Sequence, residues 1–377
     1  MMNRSLVNRI CPAIRTYLFT AVVAAVSVGI PIHAASAQSA TDDAATVVPQ
    51  WLRGRLADRL FHRRDNADMV RLVQPLAEEL SDSVVGILSG GRVTALGTVV
   101  ADPLGDSRAG DRDEAYVITK RSELSADPIR IRTRDGQLIP ARIAAVRRRS
   151  DLALLVVQID RESVWRQLRP VQFSTVVPEV GSFLVSPERT GEVVGIGVVG
   201  TGPRAIEHRG RLGVQLERIS KAGAVVRRIL RDSGADAAGL ETGDRIVAID
   251  GHLQEDIRTV VDTLNSKYPG EEVQLTIERG GSTVDISARL SELALMQETE
   301  NDARVNGPRN VRLSGFDRVV QHDTVLNPDQ CGGPIVDLQG RVVGVNIARA
   351  GRVVSYALPS GLVAKEVTSM IAEASRK

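Results

Sequence analysis

The chain has 377 residues, of which 43% are apolar, 25% charged and only 3% aromatic. That balance excludes wholesale disorder and leaves Val, Ile, Leu and Ala to fill the cores of two or three domains. A formal net charge of +2 gives no electrostatic warrant for nucleic-acid binding.

Residues 1–37 stand apart. Arg4, Arg9 and Arg15 precede the apolar run TYLFTAVVAAVSVGIPI, and Ala35-Ser36-Ala37 supplies the small residues of a cleavage site, so a secretory signal is expected, with export to the periplasm or cell envelope. An uncleaved anchor is the alternative, although the run is short for a bilayer. Cleavage would remove three arginines and no acids, leaving 45 basic against 46 acidic side chains. No second stretch is long or apolar enough to span a membrane. Cys11 lies in the signal, so Cys331 is the one cysteine beyond it and no internal disulfide is expected. Five scattered histidines show no metal-ligand spacing, and neither metal nor cofactor is expected.

Residues 38–80 read as a polar arm followed by a helix, with Met69, Val70, Val73, Leu76 and Leu80 at helical spacing and Pro75 expected to bend or divide it. Glu78-Glu79 sits on that helix surface and carries no acid-base argument. The period then changes to two. Over 81–165, VVGIL, RVTALGTVVADP, EAYVIT, PIRIRT, QLIPARIAAV and DLALLVVQI are β-rich runs separated by turn clusters, which predict a small antiparallel barrel. The basic run RRRSD at 147–151 reads as a solvated turn. A second β group opens at 166–207 with GSFLVSP and EVVGIGVVGTG and resumes at 310–377, ending in the helix SGLVAKEVTSMIAEA. GIGVVG satisfies a dinucleotide fingerprint, but no helix follows it, so strand is the better reading. Between the two parts, 208–293 forms a self-contained unit of strands and two short helices closed by a Gly280-Gly281 hairpin, and 294–309 is a polar linker.

DLALLVV at 151–157, QHDTVLNPDQCGGPIVDLQGRVVGVNIA at 321–348 and YALPSGLV at 356–363 resemble, in that order, the HtrA/Do-like family of exported trypsin-fold serine proteases. The inner unit looks like a PDZ domain. The resemblance covers nearly all of the chain beyond about residue 67. It implies a mainly β protein of two trypsin-like six-stranded barrels with N- and C-terminal helices, and here the PDZ domain interrupts the second barrel, whereas in the family it usually follows the protease domain. Insertion at a surface loop costs little if the inserted ends lie close together.

The resemblance also assigns catalytic positions. Asp151 matches the family's acid and Cys331 its nucleophile. Ile118-Thr119-Lys120-Arg121-Ser122 matches the turn that carries the base, which puts Ser122 where histidine belongs. A serine hydroxyl has almost no proton affinity near neutral pH. In the oxyanion loop, Gly332 follows the nucleophile and Asp329 replaces a glycine. That replacement removes a residue tolerant of positive φ and sets a carboxylate near the thiol, where it should raise the thiol pKa. A pseudoprotease is the simplest account.

The rival is an endopeptidase with Cys331 as nucleophile, since a thiol needs less activation than a hydroxyl. His322, nine residues upstream, would be its best base; otherwise it is a surface or strand-end histidine beside Asp323. His62, His208 and His252 lie in the arm, at the domain junction and in a PDZ loop.

In the PDZ-like unit, Arg211-Leu212-Gly213-Val214 fall where a ligand's C-terminal carboxylate is received by successive backbone N–H groups. Ile257, Val260, Val261 and Leu264 share a helix face, and Val260 and Leu264 are expected in the wall of the side-chain pocket. The expected partners are protein or peptide C-termini and unfolded segments, bound by a scaffold, regulator or chaperone-like protein. A third reading is a homo-oligomer held by the N-terminal arm.

Overall fold

The computed structural model describes residues 66–102, 114–158, 168–208, 210–218 and 224–376. The signal segment 1–37, the arm up to residue 65 and His62 lie outside the described residues. Helix α1 (Ala67–Glu79) begins at Asn66, whose side-chain oxygen accepts from the amides of Asp68 and Met69 at 3.0 and 2.9 Å, as an N-cap does. Pro75 neither divides nor ends it. The correction has a simple cause: Arg71 and Pro75 both face solvent, so water can serve the carbonyl that a proline leaves unpaired. The opposite face buries Val73 and Ala77.

The first barrel comprises β1 (Val84–Ser89), β2 (Arg92–Val100), β3 (Glu114–Lys120), β4 (Ile129–Arg132), β5 (Leu138–Arg147) and β6 (Leu152–Gln158), closed in the order β1-β2-β3-β6-β5-β4. Val85, Ile87, Val99, Val117, Ile131, Leu155 and Val157 form one of its cores. Strands β3 and β6 pair without a bulge from Glu114–Gln158 to Lys120–Leu152. That register carries the end of β3 to the start of β6, and Asp151 is the residue just before it.

The second barrel is split in sequence. Strands β7 (Phe183–Pro187) and β8 (Val193–Ile206) are joined by β17 (Phe316–His322), β18 (Pro334–Asp337), β19 (Val342–Gly351) and β20 (Val354–Pro359), closed in the order β17-β20-β19-β18-β7-β8. GIGVVG lies within β8, and its first two glycines are there for space: a Cβ on Gly197 would sit 2.0 Å from Thr324 Oγ1. Helix α6 (Ser360–Ala374) buries Val363, Val367, Met370 and Ile371 in a core shared by both barrels, and Arg147 of β5 holds its outer face through Glu366 and Glu373.

Between β8 and β17 sits a compact sheet of β10 (Val214–Arg218), β11 (Ala224–Ile229), β12 (Arg245–Ile249), β14 (Glu272–Arg279) and β15 (Ser282–Arg289), with a two-residue strand β13 (His252–Leu253) off β12. Helices α2 (Gly234–Ala237) and α3 (Ile257–Asn265) pack with it around Ala224, Ile246, Val260, Leu275 and Ile277. Asp256 and Thr259 form a capping box at the start of α3. The unit's ends meet where β9 (Gly210–Arg211) pairs with β16 (Ser291–Glu292), so the insertion leaves and re-enters the barrel at one place. Residues 294–309 are not a plain connector: α4 (Leu293–Met296) and α5 (Glu300–Asn306) lie in or across them. Among the described residues, no helix is long and apolar enough to cross a membrane.

Candidate active site and peptide groove

Asp151 is fully buried and sits at φ +58, a left-handed conformation that Asp tolerates better than most residues. Its carboxylate accepts from the Ser122 hydroxyl at 2.8 Å, the Ser122 amide at 3.0 Å and the Lys120 ammonium at 2.7 Å. The Arg312 guanidinium lies 3.9 Å away. Burial pushes the Asp151 carboxyl up, but Lys120, Arg312 and the Ser122 hydrogen bond together hold it below the usual carboxylate range. Ser122 thus occupies the place beside the acid, with a hydroxyl that donates to the carboxylate.

Lys120 and Arg312 were not singled out from the sequence. Both are completely buried, and Arg312 stacks over the rings of Tyr268 and Phe316 with its carbon 4.1 and 4.8 Å from the centroids. Its remaining donors go to the carbonyls of Arg148, Arg149, Ser314 and Gly315. The sequence held one signal for Lys120. It closes EAYVITK, a strand buried on both faces, where an unpaired lysine could not remain charged.

The Cys331 loop is stitched to the first barrel. Leu96 donates its amide to Cys331 O at 2.9 Å and the Thr98 hydroxyl donates to Gly332 O at 2.9 Å. Gly332 is obligatory, because at φ +100 an added Cβ would meet Leu96 O at 2.0 Å. Cys331 is fully buried, and its thiol donates to Asn310 Oδ1 at 3.2 Å. Burial pushes that thiol up to about 12, with Glu123 and Asp329 adding to it against the opposing influence of Lys120. Asp329, being exposed, is the smallest of these influences on the thiol. Asp329 also sits inside a 3₁₀ turn, Pro328–Gln330, and not at a positive φ, so the lost glycine imposes no backbone strain. The turn has a different consequence: the Cys331 amide donates to Pro328 O at 3.2 Å and is turned away from any oxyanion.

His322 is at a strand end, as one reading held, but buried and not at the surface. Its Nδ1 pairs with Thr324 Oγ1 at 2.8 Å, while among the described residues its Nε2 and the Oδ1 of Asn346 have no partner at hydrogen-bond geometry. Burial pushes its imidazole down to about 4. A base that weak is badly matched to a thiol near 12. His208 packs edge-on against Tyr268, and the exposed His252 bonds the carbonyl of Asp250.

The inserted unit covers this region. A Cβ placed on Gly270 would stand 3.3 Å from Ser122 Cβ, and Arg289 donates to the carbonyls of both Gly270 and Ser122 at 2.8 and 2.6 Å. Glu271 takes a two-pronged contact from Arg148 at 2.6 and 2.5 Å and a third from Arg121 at 3.3 Å.

The groove runs between β10 and α3. Arg211, Leu212, Gly213 and Val214 line a cavity of about 370 Å³ together with Leu216, Leu230, Ile257, Val261, Leu264 and, unexpectedly, Leu293 and Met296 of α4. Among the described residues β10 pairs only with β11, so its other edge is open for an added strand. Val260 is a correction: it points into the domain core, fully buried, and Ile257 and Val261 take the wall position expected of it. A nine-residue amphipathic helix must face both core and groove, and the 3.6-residue period alone does not say which of two adjacent apolar residues goes where.

The PDZ domain family model matches residues 210–290. Among curated proteins the chain is similar to the zinc metalloprotease RasP of Shouchella clausii, 39% identical over 85 residues, covering 22% of this chain and 20% of that protein. It is also similar to the serine protease Do-like HtrA of Lactobacillus helveticus, 33% identical over 70 residues, 19% of this chain and 17% of that one. The chain thus spans about a fifth of the length of the curated relatives it matches. Among solved structures, an inactive form of the Rv3671c protease of M. tuberculosis aligns over 81% of this chain and 96% of its own, at 14% identity and a TM-score of 0.39. The serine endoprotease of Yersinia pestis aligns over 58% and 98%, at 15% identity and a TM-score of 0.26. The class defined by this chain's own topology and motif order is a double trypsin-like barrel carrying a PDZ domain. In that plan it is similar to the HtrA-type proteases.

Proposed function

We propose that the protein is an exported HtrA-like pseudoprotease that binds peptide C-termini or unfolded segments in its PDZ groove, as a scaffold, regulator or chaperone-like partner, without hydrolysing them. The observation that carries the reading is the pairing of Asp151 with Ser122, under the cover of Gly270, where a proton acceptor would have to stand. Two further features support it: the Cys331 thiol is buried and hard to ionise, and its amide is already committed to Pro328. The open edge of β10 beside an apolar cavity supports peptide binding by strand addition. The basic and apolar pattern of 1–37 supports export.

Casein digestion and fluorescence anisotropy with labelled peptides ending in an apolar residue test the two halves together. The expected outcome is saturable binding that a C-terminal carboxamide weakens and Cys331→Ala leaves unchanged, with no casein cleavage. Cleavage that disappears in Cys331→Ala would establish an endopeptidase instead.

A further inference from the structure

The four-residue helix α4 stands between the inserted domain and the barrels and touches both. Strand β16 pairs with β9 in the register Ser291–Arg211 and Glu292–Gly210, which sets the start of α4 beside the loop 211–214. The buried Glu292 carboxylate accepts from the Leu313 amide at 3.1 Å and the Ser314 hydroxyl at 2.8 Å, so the root of the helix is fixed to the chain re-entering the second barrel. Leu295 packs against the core shared by the barrels. Leu293 and Met296, three residues apart and so neighbours on one helix face, turn instead into the cavity of about 370 Å³ beside α3. Met296 reaches the loop expected to receive a carboxylate: a Cβ placed on Gly213 would stand 3.1 Å from Met296 Cε.

Neither residue belongs to the domain matched at 210–290. The facing apolar wall, Ile257, Val261 and Leu264 of α3, comes from within it. The polar side chain of Arg211 is engaged with protein, donating to Gly210 O at 2.7 Å and to Asn265 Oδ1 at 3.2 Å. A ligand side chain entering the cavity therefore meets hydrocarbon and thioether from two helices, one inside the domain and one outside it. An apolar pocket discriminates by the surface it can cover. The three rotatable bonds and polarizable sulfur of methionine let it close on side chains of differing shape. Resting on the reading that this groove binds peptide C-termini, we propose that Leu293 and Met296 are specificity-determining residues, which contact the ligand's last side chain and select a long apolar one, such as leucine, methionine or phenylalanine, over alanine. The barrel side of the molecule thus supplies one wall of the peptide groove, and Glu292 and Leu295 hold that wall in place.

The test is fluorescence anisotropy on the full chain with a pair of labelled peptides that differ only in ending in leucine or in alanine. The wild type should bind the leucine peptide at least about tenfold more tightly. Met296→Ala and Leu293→Ala should each reduce that ratio to about threefold or less, chiefly by weakening the leucine peptide, and Met296→Leu should keep it near the wild-type value. A helix that merely supports the fold would lower both affinities together and leave the ratio unchanged, and urea midpoints of the variants report such a loss separately. A wild-type ratio near one, or a ratio that Met296→Ala and Leu293→Ala leave unchanged, overturns the role assigned to α4 while the groove remains a peptide site. Failure of the wild type to bind either peptide saturably refutes the reading on which the proposal rests, and the proposal with it.

Discussion

Replacing His322 by glutamine isolates one buried titratable group. In the folded chain the imidazole is held neutral by burial, with its pKa pushed down from the ordinary 6.5 to about 4. The unfolded chain takes up that proton in the ordinary range, so between the two values unfolding is accompanied by proton uptake and acid favours the unfolded state. The stability contributed by the neutral ring is complete above the unfolded pKa and is lost as the pH falls through this window. Between about pH 7.5 and about pH 4.5 the loss is roughly 2 to 3 kcal/mol. Urea unfolding of wild type and His322→Gln at both pH values measures it as a difference, in which the other titrating groups cancel. The wild type should lose about 2 to 3 kcal/mol more than the variant on acidification. Equal losses would refute a buried neutral imidazole, and would reopen His322 as a usable base.

Asp151→Asn leaves Lys120 and Arg312 buried without their counter-charge and should cost about 3 to 5 kcal/mol in urea unfolding; the double variant Asp151→Asn/Lys120→Met should recover part of it. Ser122→His should not create casein hydrolysis, because Gly270 already stands against the Ser122 side chain, and limited proteolysis should detect a loosened PDZ domain instead. Gly332→Ala should destabilise the second barrel by about 3 kcal/mol or more through its positive φ and the collision with Leu96 O, read as a lower urea midpoint. Val261→Asp, in the groove wall, should weaken binding of an apolar C-terminal peptide at least about tenfold with little change in stability, whereas Val260→Asp should unfold the domain.

Much of the architecture was legible in the sequence because it is written in short-range patterns. Alternating β-branched runs between turn clusters specify strands, and the helical periods of 67–80 and 360–374 specify their helices. The motif order around Asp151 and Cys331 locates the loops that carry them. Ser122 is reached by counting from Asp151, and the structure joins the two through a hydrogen bond 29 residues apart in sequence.

What covers the site is written nowhere locally. Asn310, Arg312, Gly270 and Glu271 come from a linker and a domain turn, and their sequence context is that of ordinary polar surface. They meet Cys331, Asp151, Ser122 and Arg148 only because β8 and β17, separated by the whole insertion, pair in one barrel. Periodicity fixes which face of an element is apolar; it does not fix which distant element that face or its ends will meet. The sequence by itself determined the barrels, the inserted domain and the placing of Ser122 beside Asp151. Only the tertiary structure decided that a buried lysine and arginine neutralise the acid, that the inserted domain lies over Ser122, and that the chain's own linker occupies the space before Cys331, because each depends on long-range packing and desolvation.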